Sequence, residues 1–400
     1  MPQQSIDAPR RTLFPRGLVN ARLLVAAACV ALGACATPYA PPVVVKSSVA
    51  VTGLADMPGK EPLHVLLVHG MCTKDKDWAE GAMQRLVRAL DANIALQTRE
   101  ETALMATADG KPAVKLVYGD AEIAGRKLRM AGVVWSPLTA PLKQQLLYDN
   151  TDEPTDCARD ATCKPKRATL NGKLKDILLN DCLADAMAYQ GESRGVIRQA
   201  MIDAFSMALR DAPPNAPIVL VSDSLGSKIS FDALHEMLQA KSPPAARAAA
   251  LRVGHVYMNA NQLPILGLAD QTIPSPGPPE IVKPTGDTKG GIARKPDSLE
   301  LFAAERARVR KNDSAIVAIS GAAARLTVVA FTDPNDLLSY RLLPSRYKSA
   351  EVDVADVLVS NKTTYLGFLE RPDTAHTSYM DNAAVATAIS CGIPKSERCR

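Results

Sequence analysis

The sequence predicts an α/β protein: a mostly parallel central sheet with helices on both faces and inserted lid-like segments. Two observations carry that prediction. Leu63–Val68 reads LHVLLV, the nearly continuous apolar run of a strand covered on both faces, and a helical pattern follows it. Ile218–Val221 is a second such run, turning through Ser222-Asp223-Ser224-Leu225-Gly226 into another helical pattern.

Taken in order, the strand at 63–68 ends in His69-Gly70. Asp77 and Glu80 form a capping-box pattern for a helix in which Met83, Leu86, Val87 and Leu90 recur at helical spacing. Residues 113–135 read as two strands, and a polar, cysteine-bearing insertion occupies about 138–190. A helix at about 192–210 presents Val196, Ile197, Ala200, Met201, Ala204, Phe205 and Ala208 on one side, and Pro213, Pro214 and Pro217 follow it. Ile229, Phe231, Leu234 and Leu238 continue the helix after the Ser224 turn. Further strands are expected at 252–259, 326–332 and about 362–369, so strands and helices alternate as in a parallel sheet. Six prolines and four glycines between 274 and 296 mark a loop inside a second insertion, about 262–297.

The 400 residues, 47% hydrophobic and 22% charged, are enough to bury one large core. Of the formal net charge of +5, +3 lies in the first 34 residues, and aromatic residues are only 4%. Neither value suggests a nucleic-acid partner. Arg10, Arg11, Arg16 and Arg22 precede an uncharged run from Leu23 to Leu32, the pattern of an export signal, and far shorter than the roughly 20 apolar residues of a spanning helix. Residues 1–34 are therefore read as a signal, 35–60 as a flexible tether, and 61–400 as the folded domain. In an oxidising compartment the six cysteines after Cys35 permit three disulfides, with Cys157/Cys163 and Cys391/Cys399 favoured by proximity. No Cys-x-x-Cys or histidine ligand spacing occurs, so no metal or other cofactor is expected.

Ser222-x-Ser224-x-Gly226 follows the nucleophile-elbow pattern Gly-x-Ser-x-Gly, with serine in place of the first glycine. Of the five histidines, only His376 follows a plausible acid late in the chain. His64, His235 and His255 sit inside a strand, a helix and a strand, and His69 shapes the loop after the first strand. The strand at 326–332 is followed by two candidate acids, Asp333 before a proline and Asp336 before an apolar pair. Asp336 is preferred, and Asp333 is read as a turn former.

With His69-Gly70, the Ser224 elbow, Asp336 and His376 in this order, the chain resembles the α/β-hydrolase superfamily, especially its serine esterases and lipases, over roughly residues 61–385. That resemblance implies an α/β-hydrolase fold and acyl transfer on an ester or lipid substrate. Ser224 would be the nucleophile, His376 its general base and Asp336 the group orienting the imidazole. The N–H groups of Met71 and Leu225 would bind the oxyanion, and a disulfide at Cys72 could brace that loop. Leu32-Gly33-Ala34-Cys35 resembles the lipobox of bacterial lipoproteins. It implies acylation of Cys35, a membrane anchor and, from Ala36, sorting to the periplasmic face of a Gram-negative outer membrane. A catalytically inactive scaffold binding envelope lipids or proteins, or a related acyltransferase or phospholipase, is the alternative left open, because a fold does not fix an activity.

Overall fold

The computed structural model describes residues 35–106, 112–151, 154–157, 163–164, 166–273, 294–321, 325–365 and 370–400. Its strands are β1 (Cys35–Ala36), β2 (Val43–Ser47), β3 (Leu63–Val68), β4 (Gln97–Ala106), β5 (Pro112–Ile123), β6 (Arg126–Val134), β7 (Ile218–Asp223), β8 (Val253–Asn259), β9 (Leu326–Thr332), β10 (Val352–Leu358) and β11 (Thr364–Tyr365). The principal helices are α1 (Lys76–Leu90), α2 (Arg194–Ala208), α3 (Leu225–Met237), α4 (Pro244–Arg252), α5 (Ser298–Asn312), α6 (Ser314–Ser320), α7 (Pro372–Thr377) and α8 (Ala383–Cys391).

Nine strands form one mixed sheet in the order β2-β10-β9-β8-β7-β3-β6-β5-β4. Six neighbours, β10 through β6, run parallel. Antiparallel strands close both edges: β5 and β4 beyond β6, and β2 beyond β10. Successive side chains of a strand point to opposite faces, and here both faces are apolar. Leu66, Leu220, Val256 and Val328 pack beneath α2 to α5, whereas Val65, Val219, Tyr257 and Val329 pack against α1 and α8. Each such fully buried aliphatic side chain contributes about 1.5–3 kcal/mol.

From β3 the chain jumps to the far edge at β4, returns through β5 to β6 beside β3, and then crosses to β7 on the other side of β3. Order therefore reverses at β3, and in open α/β sheets that reversal leaves a ligand crevice outside the carboxyl ends of the strands. The loops after β3 and β7 leave the sheet side by side at that point.

Several local expectations need correction. Residues 35–60 are not a free tether: β2 joins the sheet edge, Val51 bridges Ile393, and Leu54 and Met57 are buried. Val43-Val44-Val45 is β-prone, and the open edge of β10 supplies its hydrogen-bond partners. The cap of α1 is Asp75, whose side chain accepts from the Asp77 N–H, so Asp77 and Glu80 lie within the first turns. β4 and β10 are additions to the expected strands; in β10 the sequence VDVADVL interrupts its apolar residues with carboxylates. Of the strand expected at 362–369 only β11 is observed, and 366–369 lie outside the described residues, as do 274–293 of the second insertion. The first insertion is helical, including a π-wound stretch Leu174–Leu183. Three disulfides join Cys72–Cys182, Cys157–Cys163 and Cys391–Cys399. Among the described residues no helix is long and apolar enough to cross a membrane.

Candidate active site

Ser224 occupies the turn between β7 and α3 at φ 52°, a left-handed value uncommon for a residue with a side chain. Its N–H is held by the Asn259 carbonyl at 2.7 Å. Close packing dictates its neighbours. A Cβ on Gly226 would stand 2.3 Å from the His69 carbonyl oxygen, and one on Gly70 would stand 2.7 Å from Ser224 Cβ. Both positions must be glycine for the loop after β3 to lie against the serine turn. Ser222, which replaces the first glycine of the pattern, is fully buried and shares a 3.0 Å hydrogen bond with the Ser227 hydroxyl. Its hydroxyl is therefore satisfied inside the turn.

The structure brings Ser224, His376 and Asp336 together from three separate segments. Ser224 Oγ lies 3.1 Å from His376 Nε2, and His376 Nδ1 lies 2.9 and 3.0 Å from the two Asp336 oxygens. With Nδ1–H donated to the carboxylate, Nε2 is free to accept the serine proton. Asp336 also accepts from the Leu338 N–H at 3.0 Å and the Tyr379 hydroxyl at 3.1 Å. Asp333 instead folds the turn, accepting from the N–H groups of Asn335 and Asn361 at 2.9 and 2.6 Å. The hydroxyl of Tyr379 accepts from the Asp333 N–H at 2.8 Å, so one buried phenol joins both aspartates. Asn361 further fixes the helix carrying His376 by donating to the Ala375 carbonyl at 2.7 Å.

On the other side of Ser224 the loop 69–75 is braced at every turn. His69 is fully buried, and burial lowers its pKa to about 3, so the ring is neutral. Its Nε2 accepts from the Trp135 and Ser136 N–H groups at 3.0 and 3.2 Å, leaving Nδ1 to donate to the Gly70 carbonyl at 2.7 Å. The ring stacks on Trp135 at 5.0 Å between centroids. Met71 is buried in this loop, and Leu225 begins α3, where a backbone N–H has no partner within the helix. Cys72 is bonded to Cys182 of the first insertion. Beside that bond Asp181 accepts from the Thr73 N–H at 2.9 Å and from Lys143 Nζ at 2.7 Å. Lys143 also pairs with the buried Asp185 at 3.0 Å, whose carboxyl burial pushes up.

Asp223, between the two serines of the elbow, accepts from Asn259 Nδ2 at 2.7 Å. Burial pushes its carboxyl up to about 6, against the opposing pull of Asn259, Lys74 and His376. His64 is buried in β3 and His255 half-buried in β8, and desolvation lowers each to about 4; His235, on α3, lies against Gln239 just beyond that helix. Sequence reasoning missed Tyr379, Asn361, Asp223 and the Lys143–Asp181–Asp185 set. Two carry a local hint: Tyr379 stands three residues beyond His376, and Asp223 adjoins Ser224 within the elbow. The remainder depend on contacts between distant segments. Among the described residues, the only group spaced to hold a metal is Cys72, Asp181 and Cys182, and both of its sulfurs are consumed by the disulfide. Compared with protein-family models, curated proteins and solved structures, the chain matches none of them.

Proposed function

We propose that this chain is a serine hydrolase of the α/β-hydrolase fold that cleaves carboxylic esters through an acyl-enzyme. The single observation that supports it is the continuous relay from Ser224 Oγ through His376 to Asp336, set on a positive-φ turn at the carboxyl rim of the sheet. As Ser224 Oγ attacks the ester carbonyl, its proton passes to His376 Nε2, and Asp336 holds the resulting imidazolium. The Leu225 and Met71 N–H groups stabilise the oxyanion of the tetrahedral intermediate. Its collapse expels the alcohol, which takes the proton from His376. Water, activated by the same imidazole, then releases the acid and restores Ser224. No cofactor enters these steps. The lipobox adds a membrane anchor at Cys35, on the periplasmic side of the envelope.

A fluorophosphonate probe tests the assignment, because it labels only a serine activated by its neighbours. The wild-type chain is expected to be labelled at Ser224 by peptide mapping, and Ser224→Ala to lose the label and about 10⁴–10⁶-fold of esterase activity. Labelling that persists undiminished in Ser224→Ala would remove the proposal.

A further inference from the structure

The position of residue 35 gives the site rim a direction. β1 pairs antiparallel with β11, placing Cys35 opposite Tyr365. Tyr365 lies in the segment between Asn361, which holds Asp333, and Glu370, which accepts from Asn335 Nδ2 at 2.8 Å and from the Lys362 N–H at 3.1 Å. Nearby, the Tyr39 N–H donates to Ser360 Oγ at 3.0 Å. The cysteine of the lipobox thus sits among the loops that carry Asp336 and His376. No spacer separates it from the folded domain.

The same rim gathers large exposed apolar side chains. Leu337, Tyr340 and Leu343 follow β9 and are 72%, 40% and 42% exposed; Leu268 and Ile273 follow β8 at 67% and 95%. Tyr365 itself is 58% exposed. The first insertion leaves β6 at this rim and exposes Leu142, Leu146, Leu170, Ile177, Leu179 and Leu183. Single exposed apolar residues are ordinary, but a set of them on loops of adjacent strands marks a contact surface. An acyl chain on Cys35 would hold that surface within a residue or two of the headgroups, leaving little space for a protein partner between rim and membrane.

We infer that this rim lies against the bilayer that holds the acylated Cys35, so that the substrate is a membrane-resident lipid ester reaching Ser224 from the lipid side. This rests on the hydrolase and lipid-anchor readings above. The test uses the full chain isolated from membranes and reconstituted in phosphatidylethanolamine and phosphatidylglycerol vesicles bearing brominated acyl chains. Single variants Leu337→Trp and Leu268→Trp are compared with Ile319→Trp, which lies beside the amino end of β9, and all three positions are exposed enough to leave folding intact. Quenching over the background of Trp78 and Trp135 is expected to be several-fold stronger at 337 and 268 than at 319. Equal quenching at the three positions, or a chain that does not associate with the vesicles, overturns the inference. Fluorophosphonate labelling is read on the same vesicles. Labelling without differential quenching removes the membrane-facing surface alone, whereas differential quenching without labelling keeps the surface and removes the hydrolase reading.

Discussion

The two sides of Ser224 are built by different means. Toward Met71, the loop is held covalently by Cys72–Cys182, by a neutral buried His69 stacked on Trp135, and by the Lys143–Asp181–Asp185 ion pairs. Toward His376, the acid and base are held by hydrogen bonds alone, through Tyr379, Asn361 and Leu338. The contrast follows the work each side would do. Donors aimed at a developing charge help only if they do not reorganise, whereas an imidazole that takes and returns a proton needs a polarisable, hydrogen-bonded setting.

The sharpest way to break this contrast is to cut the covalent brace. The loop closed by Cys72–Cys182 spans 110 residues, so the double variant Cys72→Ala/Cys182→Ala is expected to lose about 4 kcal/mol of unfolding free energy in denaturant titration. Ester turnover at a temperature where the variant remains folded should fall through kcat, because the Met71 N–H loses its fixed position. An unchanged kcat in the folded variant would mean that the brace does not serve the site.

Tyr379→Phe acts on the opposite side and more weakly. It removes a donor to Asp336 and an acceptor for the Asp333 N–H without opening a cavity, at a cost of about 1–3 kcal/mol. We expect kcat to fall roughly 10-fold with KM unchanged, since the phenol orients the acid and touches no substrate. A change confined to KM would contradict that positioning role.

Asp223→Asn should give the smallest effect, visible mainly as a change with pH. Burial raises the folded-state pKa of this carboxyl from 3.8 to about 6, so folding favours its protonated form. The stability it contributes is complete below pH 3.8 and is lost as pH climbs through about 6; the amide, which does not titrate, should flatten that part of the stability profile. Superimposable stability profiles for the two proteins would show that Asp223 is not the group titrating in that range.

The parallel strands are legible because residues covered on two faces must be apolar throughout: Leu63–Val68 and Ile218–Val221 appear at the positions their composition indicates. The same rule hides β10, where Asp353 pairs with Arg325 and Asp356 with Arg341, ion pairs invisible to a reading by hydrophobicity. The edge strand β2 is hidden by Pro38, Pro41 and Pro42, which resemble a linker until the open side of β10 is known. Ser224, Asp336 and His376 can be nominated from order along the chain, since Ser224 and Asp336 each follow a strand and His376 stands late in the chain, on α7. The groups that hold them cannot. Tyr379 bridges two aspartates more than forty residues away, and Lys143 meets Asp181 and Asp185 only because the insertion folds back over the loop after β3.

β2 has a consequence for handling the protein. Val43, Val44 and Val45 are 43%, 37% and 42% exposed on the outermost strand of the nine-stranded sheet. Such a border invites a second molecule to add its own strand, and Pro41, Pro42 and Lys46 flank the valines as natural deterrents to that stacking. Shortening the chain to begin at Val43 would strip away the prolines and leave a bare, sticky margin. A soluble version is better cut so that both prolines remain.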